Sequence, residues 1–407
     1  MIESPIKWCH ISDAHLGNRQ YNLIDRFDDF ALAFNKAVDI ALDESPDFIL
    51  FTGDMFETSR PGAPELRQAI HILSKIKSKG IPLYIIQGNH DTTYSRDKKY
   101  GGDILDFLED MELLTYIQDE CIPVMKNGRE IALILGIQYY GKRTSKALME
   151  LLNNYREELE RTDVPKILMI HAYFEGMRGN VDLRKRQLPH LFDYVAAGHY
   201  HMRYEDPELR LYCPGSTEHV SSTEWQSSSE NEFADEKGFY SVISYCDESQ
   251  MSWKLDTKYI TYKVRPKRQV RTEFDQMELE SIRNKTERIL IENDTHNAIL
   301  KFVFSGSYEG MEHPFVNLQR FRNKITKAFH ADIISKFKSI STVTWKPQSR
   351  RDAYEDVLRE QFKMPEKEIP PYLSFVEKLI KITEDRNYNL YEDVFDKFVK
   401  KIQKSQG

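Results

Sequence analysis

The chain has 407 residues, 40% of them hydrophobic and 30% charged, with a formal net charge of -7. This is ordinary globular composition, long enough for two or three domains and one sizeable core. No apolar run approaches the ~18 residues of a membrane helix, the opening MIESPIKW lacks a basic-then-apolar secretion signal, and the four scattered cysteines (Cys9, Cys121, Cys213, Cys246) form no CxxC pair and read as reduced thiols of a cytoplasmic protein.

The first half alternates strand and helix. IKWCHIS is a strand, and LIDRFDDFALAFNKAVDIALDES places Phe27, Phe30, Ala31, Phe34, Val38, Ala41 and Leu42 at helical spacing. DFILFT is a second strand. PELRQAIHILSKIKSKG is a second helix, with Pro64 in its first turn and Gly80 beyond its end. PLYIIQ is a third strand and DILDFLEDMELL a helix; CIPVMKNGREIALILGIQ is a hairpin turning at Asn127-Gly128. A helix over residues 142–161 leads to the strand KILMIHAYF, and FDYVAAGH, LRLYCPG, GFYSVISY and MSWKLDTKYI follow as strands. The pattern predicts an α/β fold of two mixed sheets packed face to face with helices outside.

A boundary is expected near Tyr262, giving a domain over 1–261, a small α/β capping domain over 262–345 with helices at 272–293 and 315–329, and a linker with a helical tail over 346–407. The capping region is basic. Residues 258–271 hold six cations and no acid, and residues 316–351 hold nine cations against Asp332 alone, while acids gather in TEWQSSSENEFADE. In the tail, Tyr372, Phe375, Val376, Leu379 and Ile380 form a helical apolar stripe that either packs back on the body or awaits a partner.

Five strand ends carry similar chemistry. HISDAHLG offers Asp13 and His15, LFTGDMF offers Asp54, and IIQGNHD offers Asn89, His90 and Asp91. LMIHAYF then offers His171, and VAAGHYHM offers His199 and His201. The carboxyl ends of strands in open α/β sheets are where ligands sit. A lone His or Asp at one such end is ordinarily a hydrogen-bonded edge residue or a cap. Asp13, His15, Asp54, Asn89, His171, His199 and His201 converging on one side would be hard to bury unless they bound cations. They suffice for two divalent ions if one carboxylate bridges, and their mixed oxygen and imidazole donors suit Mn²⁺, Fe²⁺ or Zn²⁺ better than Mg²⁺ or Ca²⁺. A pair of ions ~3.5–4 Å apart is a recurrent arrangement for in-line displacement at phosphorus.

The order DxH, GD, GNHD, H, GHxH resembles the calcineurin-like metallophosphoesterases. That resemblance implies the paired-sheet fold and a dinuclear site bridged by Asp54. Asp13, His15 and His201 would complete one position, and Asn89, His171 and His199 the other. His90 would stand beside the ions and protonate the leaving oxygen or stabilise the transition state. Two readings of Asp91 stay open: it orients His90, or it makes a structural hydrogen bond.

Phosphoprotein phosphatases of that superfamily read GDxxDRG at the second motif, with an Arg that grips a terminal phosphate. Here the text is GDMFETSRP, so the Arg at that place is missing and a phosphate monoester is disfavoured. GDMFETSRPGAPELRQAI and GHYHMRYEDPELRLYCPGSTEHVSSTEW resemble instead the SbcD-type subunit of DNA double-strand-break repair nucleases, its archaeal members in particular. The resemblance implies a Mn²⁺-dependent 3′–5′ exonuclease and single-strand or hairpin endonuclease, nucleoid-associated in a prokaryotic cytoplasm. It also implies homodimerisation through a helix such as 23–45 or the next one, and a coiled-coil ABC ATPase (SbcC type) docked on the tail helices. DNA contacts are expected from Arg96, Lys98 and Lys99 in the loop after GNHD and from Lys263, Arg265, Lys267 and Arg268 in the cap. One departure stands out: many members carry a second histidine three residues after the bridging Asp, where this chain has Glu57, a carboxylate expected to repel phosphate. Two other classes stay open, a small-molecule or cyclic-nucleotide phosphodiesterase of the same fold and a non-catalytic scaffold.

Overall fold

A computed structural model of the chain describes residues 5–92, 102–225, 234–247, 252–309, 313–340, 350–361, 364–366, 368–384, 394, 395 and 398. In chain order the elements are β1 (Ile6–Ile11), α1 (Ile24–Asp43), β2 (Phe48–Phe51), α2 (Ala63–Ser78), β3 (Leu83–Ile85), α3 (Ile104–Asp110), β4 (Thr115–Tyr116), β5 (Glu120–Lys126) and β6 (Arg129–Ile137). There follow α4 (Thr144–Asn154), α5 (Arg156–Arg161), β7 (Lys166–His171), β8 (Tyr194–Gly198), β9 (Tyr204–Asp206), β10 (Leu211–Cys213), β11 (Ala234–Asp247) and β12 (Ser252–Glu278). The last are α6 (Leu279–Asn293), β13 (Ile299–Glu309), α7 (Leu318–Arg322), β14 (His330–Ser339), α8 (Arg350–Asp356) and α9 (Ile369–Glu384). The strands form an eight-stranded sheet in the order β14-β13-β12-β11-β1-β2-β3-β4 and a six-stranded sheet in the order β5-β6-β7-β8-β10-β9.

The two sheets pack face to face, as the alternation of strands and helices predicts. Trp8, Phe48 and Leu50 from one sheet and Ile134, Met169 and Tyr194 from the other share one buried cluster. A second cluster lies outside the larger sheet, where Phe34, Val38 and Ala41 of α1 and Ile72 and Leu73 of α2 meet Ile49 and Phe51. A third lies outside the smaller sheet, with Leu148 and Leu151 of α4 against Leu135 and Leu168. Each strand of the site thus has both faces covered, which is why β2 and β7 read as continuous apolar runs.

Local signals behave as their chemistry dictates. Asn127 (φ 52°) and Gly128 (φ 73°) both take the left-handed backbone that the tight β5–β6 hairpin requires. The expected helix over 142–161 breaks at Tyr155 into α4 and α5. The one expected over 272–293 begins only at Leu279, because 272–274 stay extended and pair with β13, burying Phe274. The one expected over 315–329 shrinks to α7, since the backbone N–H groups of Thr326, Lys327 and Ala328 donate to the Asp294 carboxylate rather than to a helical ladder.

Contacts divide the chain into two compact units, Met1–Ser339 and Ile340–Gly407. β12 runs without a break through Tyr262, where the sequence suggests a boundary. Its first half pairs antiparallel with β11 and its second half parallel with β13. Pro266, which lacks a donor, sits beside the irregularity at which the partner changes. Beyond it Phe274, Leu300, Phe302, Phe304, Phe315 and Phe321 build a separate core under α6 and α7. In the second unit the Phe375 ring of α9 stacks on Phe398 at 3.9 Å, so part of the predicted stripe is covered locally.

His10 of β1 is fully buried between the sheets, with Nδ1 3.0 Å from the Tyr194 hydroxyl and Nε2 2.9 Å from the Thr52 hydroxyl. Both partners can donate or accept, so the neutral ring is satisfied; burial pushes its pKa down to about 3. The unfolded chain takes up this proton below its ordinary pKa of ~6.5 and the folded chain does not. The stability His10 confers is therefore present above that pH and lost as pH falls through it towards 3. In His10→Gln the slope of unfolding free energy against pH between 6 and 4, from urea melts, should be smaller by up to ~1.4 kcal/mol per pH unit. An unchanged slope would contradict the assignment.

Candidate metal centre

Parallel pairing of β1 with β2 and of β2 with β3 in one sheet, and of β7 with β8 in the other, sends all five carboxyl ends the same way. Beyond those ends the chain turns through strained backbone. Asp13 (φ 52°), His15 (φ 47°), Asp54 (φ 55°) and His199 (φ 81°) all sit in the left-handed region that non-glycine residues seldom adopt. Such outliers cluster at functional sites, where surrounding packing holds them. Gly88 allows the closest approach: a Cβ there would overlap the Asp54 carboxylate and backbone N–H.

The seven predicted residues meet at this rim. Asp13, His15, Asp54 and His201 form one group, and Asp54, His171 and His199 another, each with ligand atoms within 4.8 Å of one another. Asn89 joins the second group, its Oδ1 lying 3.1 Å from His171 Nε2. Asp13 and Asp54 are fully buried, and Asp13 takes the His199 N–H at 3.2 Å. Asp54 accepts the His90 N–H at 2.8 Å through Oδ1.

The hydrogen positions decide what the groups can hold. His171 Nδ1 donates to the Thr52 carbonyl at 2.7 Å, and His15 Nδ1 donates to Glu57 at 3.0 Å. His201 Nδ1 faces Glu224 at 3.6 Å. With the Nδ1 hydrogens turned outward, the Nε2 lone pairs turn inward. His15 Nε2 and His201 Nε2 face each other at 3.1 Å, and His171 Nε2 meets Asp54 Oδ2 at 3.3 Å. Asp54 Oδ2 is buried and has no hydrogen-bond partner among the described residues. Acceptors converging in this way repel unless a proton or a cation lies among them, so the residues fit divalent metal. Without a cation a proton is drawn in instead, and the electrostatics reflect it. Burial alone would depress the His171 imidazole, yet the Asp54 charge carries it up to about 9. Burial and the neighbouring His171 push His199 down to about 2. Burial opposes ionisation of Asp54, yet His171 and His15 hold its carboxyl well below the usual range.

His90 lies beside this cluster. Its Nδ1 donates to the Glu57 carbonyl at 2.8 Å, and its ring meets His15 edge-on at 4.8 Å. Asp91 does not orient it: the Asp91 carboxylate is buried and accepts the backbone N–H groups of Met55, Phe56 and Gly88, which ties the second and third strand ends together. Burial, with Asp54 nearby, raises its pKa to about 7. Glu57 also departs from expectation, since its carboxylate is engaged by His15 and by Asn18 Nδ2 (3.0 Å).

Of the cations expected to contact DNA, two are spent inside the protein. Lys267 is fully buried in an ion pair with Glu218, with Arg26 3.5 Å from the same carboxylate. Arg265 grips Asp29 of α1 at 2.6 and 2.7 Å. Neither is available to a phosphate backbone, because each would have to abandon its carboxylate. Lys263 is exposed beside Glu236, and Arg268 is half-buried. Arg96, Lys98 and Lys99 lie outside the described residues. Sequence reasoning missed Glu224, buried beside His201 and held by Lys237 at 3.0 Å. It also missed Tyr139 and Tyr173, whose rings flank His199 at 5.4 and 4.2 Å. An acid in an acidic run and aromatics after apolar strands carry no distinguishing pattern.

Two substitutions check this arrangement. Gly88→Ala should lower Mn²⁺ affinity, read by calorimetry, by at least about tenfold while the chain still folds; unchanged binding would contradict the close approach. Lys267→Ala leaves the buried Glu218 carboxylate with Arg26 at 3.5 Å but without its hydrogen-bonded partner, and should lower unfolding free energy by up to ~3–5 kcal/mol; weaker DNA binding with unchanged stability would contradict its internal role.

Residues 6–203 match the family model of the calcineurin-like phosphoesterases. A DNA double-strand break repair protein Mre11 from Methanococcus maripaludis is 30% identical over 240 residues, 58% of this chain and 62% of its own. The protein of that name from Saccharolobus solfataricus is 33% identical over 198 residues, 48% of this chain and 49% of its own. The one from Methanocaldococcus jannaschii is 32% identical over 240 residues, 57% of this chain and 61% of its own. The chain thus spans about half to three fifths of the length of these curated relatives. The strand-end motifs, the paired sheets and the single rim of ligands agree with this match: residues 6–203 carry a calcineurin-like phosphoesterase domain, and the chain is similar to archaeal Mre11 proteins.

Proposed function

We propose that the chain is a Mn²⁺-dependent DNA nuclease, a 3′–5′ exonuclease and single-strand or hairpin endonuclease acting in double-strand-break repair. The observation that carries this reading is the set of inward-facing acceptors around Asp54, together with His90 standing outside them. Two divalent ions held there would supply Lewis acidity and make hydroxide accessible near neutral pH. Asp54, the residue common to both groups, would be shared between two ions; Asp13, His15 and His201 would hold one, and Asn89, His171 and His199 the other. Mn²⁺ suits this mixed donor set, with Fe²⁺ or Zn²⁺ as substitutes.

His90 acts on the phosphodiester directly. Its Nδ1 hydrogen is committed to the Glu57 carbonyl, which fixes the ring, so that the doubly protonated imidazolium presents its Nε2 hydrogen to the leaving oxygen or the transition-state charge. Thr58 stands where the phosphatase motif GDxxDRG has its Arg, which favours a diester over a terminal phosphate. DNA as substrate rests on the archaeal relatives and on the basic capping region. Since Lys267 and Arg265 are internal, the backbone is gripped by Lys263 and Arg268 together with Arg96, Lys98 and Lys99. Ile24 and Leu32, exposed on α1 at 60% and 65%, supply an apolar face for a homodimer. The helix α9 in the second unit is the docking element for a coiled-coil ABC ATPase. No described helix is long and apolar enough to cross a membrane.

The full chain with Mn²⁺ should cut linear duplex and hairpin DNA, and His90→Ala should retain Mn²⁺ yet lose about 10²–10⁴ in rate. DNA affinity should fall steeply with salt. Cleavage of bis-p-nitrophenyl phosphate but never of DNA, surviving high salt, would overturn the reading in favour of a small-molecule phosphodiesterase.

A further inference from the structure

Residue 57 touches both halves of the chemistry. The turn after β1 and the turn after β2 are zipped together by main-chain bonds: His15 N–H donates to the Asp54 carbonyl (3.1 Å), Leu16 N–H to that of Met55 (2.9 Å), and Glu57 N–H to that of Leu16 (2.9 Å). This zipper brings Glu57 beside His15. Its carboxylate takes the His15 Nδ1 hydrogen and is steadied by Asn18, while its carbonyl takes the His90 Nδ1 hydrogen. The imidazole of His201, across the same group, is backed by Glu224, which Lys237 and the Ser221 N–H (2.7 Å) hold in place. The other group is built differently, with His171 backed only by the neutral Thr52 carbonyl. A carboxylate behind a ligating imidazole fixes the tautomer and raises the basicity of the nitrogen facing the ion more than a carbonyl does.

We propose that Glu57 is a positioning residue that holds His15 as the Nδ1–H tautomer and, with Glu224 behind His201, makes Asp13–His15–Asp54–His201 the tighter of two ion positions. This rests on the two-ion reading given above. The residue that looks like a defect for phosphate handling is, on this account, the anchor of the first ion. Its carboxylate faces His15 and Asn18, so its charge is used within the protein.

The test titrates the metal-free full chain with Mn²⁺ by calorimetry and records nitrogen-resolved NMR of its histidines. The wild type should bind two ions in distinguishable classes, with His15 protonated at Nδ1. In Glu57→Ala the tighter class should weaken by about 10–100-fold while the weaker class is unchanged. Glu57→Gln, whose amide oxygen still accepts the hydrogen, should keep the His15 tautomer and lose less affinity. A general loss of structure would lower the melting temperature and weaken both classes together, which would overturn the positioning role. So would wild-type affinity in Glu57→Ala, loss of the weaker class alone, or His15 protonated at Nε2. A wild-type chain that binds no ion would defeat the two-ion reading as well, so the two failures are distinguishable.

Discussion

The structure turns on a set of buried acceptors facing one another, which only a proton or a cation between them reconciles. Main-chain and carboxylate acceptors draw the Nδ1 hydrogens of His15 and His171 outward, so His171 Nε2 looks in on Asp54 and His15 Nε2 on that of His201. Such an arrangement is unfavourable for a bare protein in a low-dielectric site and favourable around divalent cations. Four of the seven residues also hold left-handed backbone. Two tightly packed sheets, with helices over both outer faces, are what keep strained turns and like-natured atoms in place.

This division between a rigid scaffold and a strained rim explains where the sequence was legible. Each strand announces itself as an apolar run, and each functional group follows a run at once, so DxH, GD, GNHD, H and GHxH could be aligned to one edge without coordinates. The hairpin at Asn127-Gly128 was legible for a similar reason, since both residues tolerate left-handed backbone. Asp91 was not, because one carboxylate can cap backbone or orient a neighbour, and only the three N–H groups around it decide.

Charge was the least legible property. Lys267 and Arg265 sit in a basic run and looked like a surface for phosphate, but Lys267 meets Glu218 and Arg265 meets Asp29, acids far away in sequence. A run of like charge records composition and says nothing of pairing across the fold. Glu57 shows the reverse case. Read alone it is a repelling carboxylate at a phosphate site; read with the zipper between the first two strand ends it is a partner for His15. Helix ends at 272–279 and 322–329 failed likewise, because strand pairing with β13 and the Asp294 carboxylate outcompeted local helical preference.

The capping region grows out of the same sheet that carries the first three strand ends, through the unbroken β12, yet it has its own aromatic core. The chemistry-bearing rim and the basic region are therefore linked by continuous backbone hydrogen bonding, and ion pairs such as Arg265 with Asp29 fasten cap strand to body helix. The most direct measurement of the central claim is an anomalous difference map from a crystal of the full chain soaked in Mn²⁺. Two peaks sharing Asp54, one among Asp13, His15 and His201 and one among Asn89, His171 and His199, are the predicted result. No peak within reach of Asp54, or a single peak bound by residues other than these seven, would contradict it.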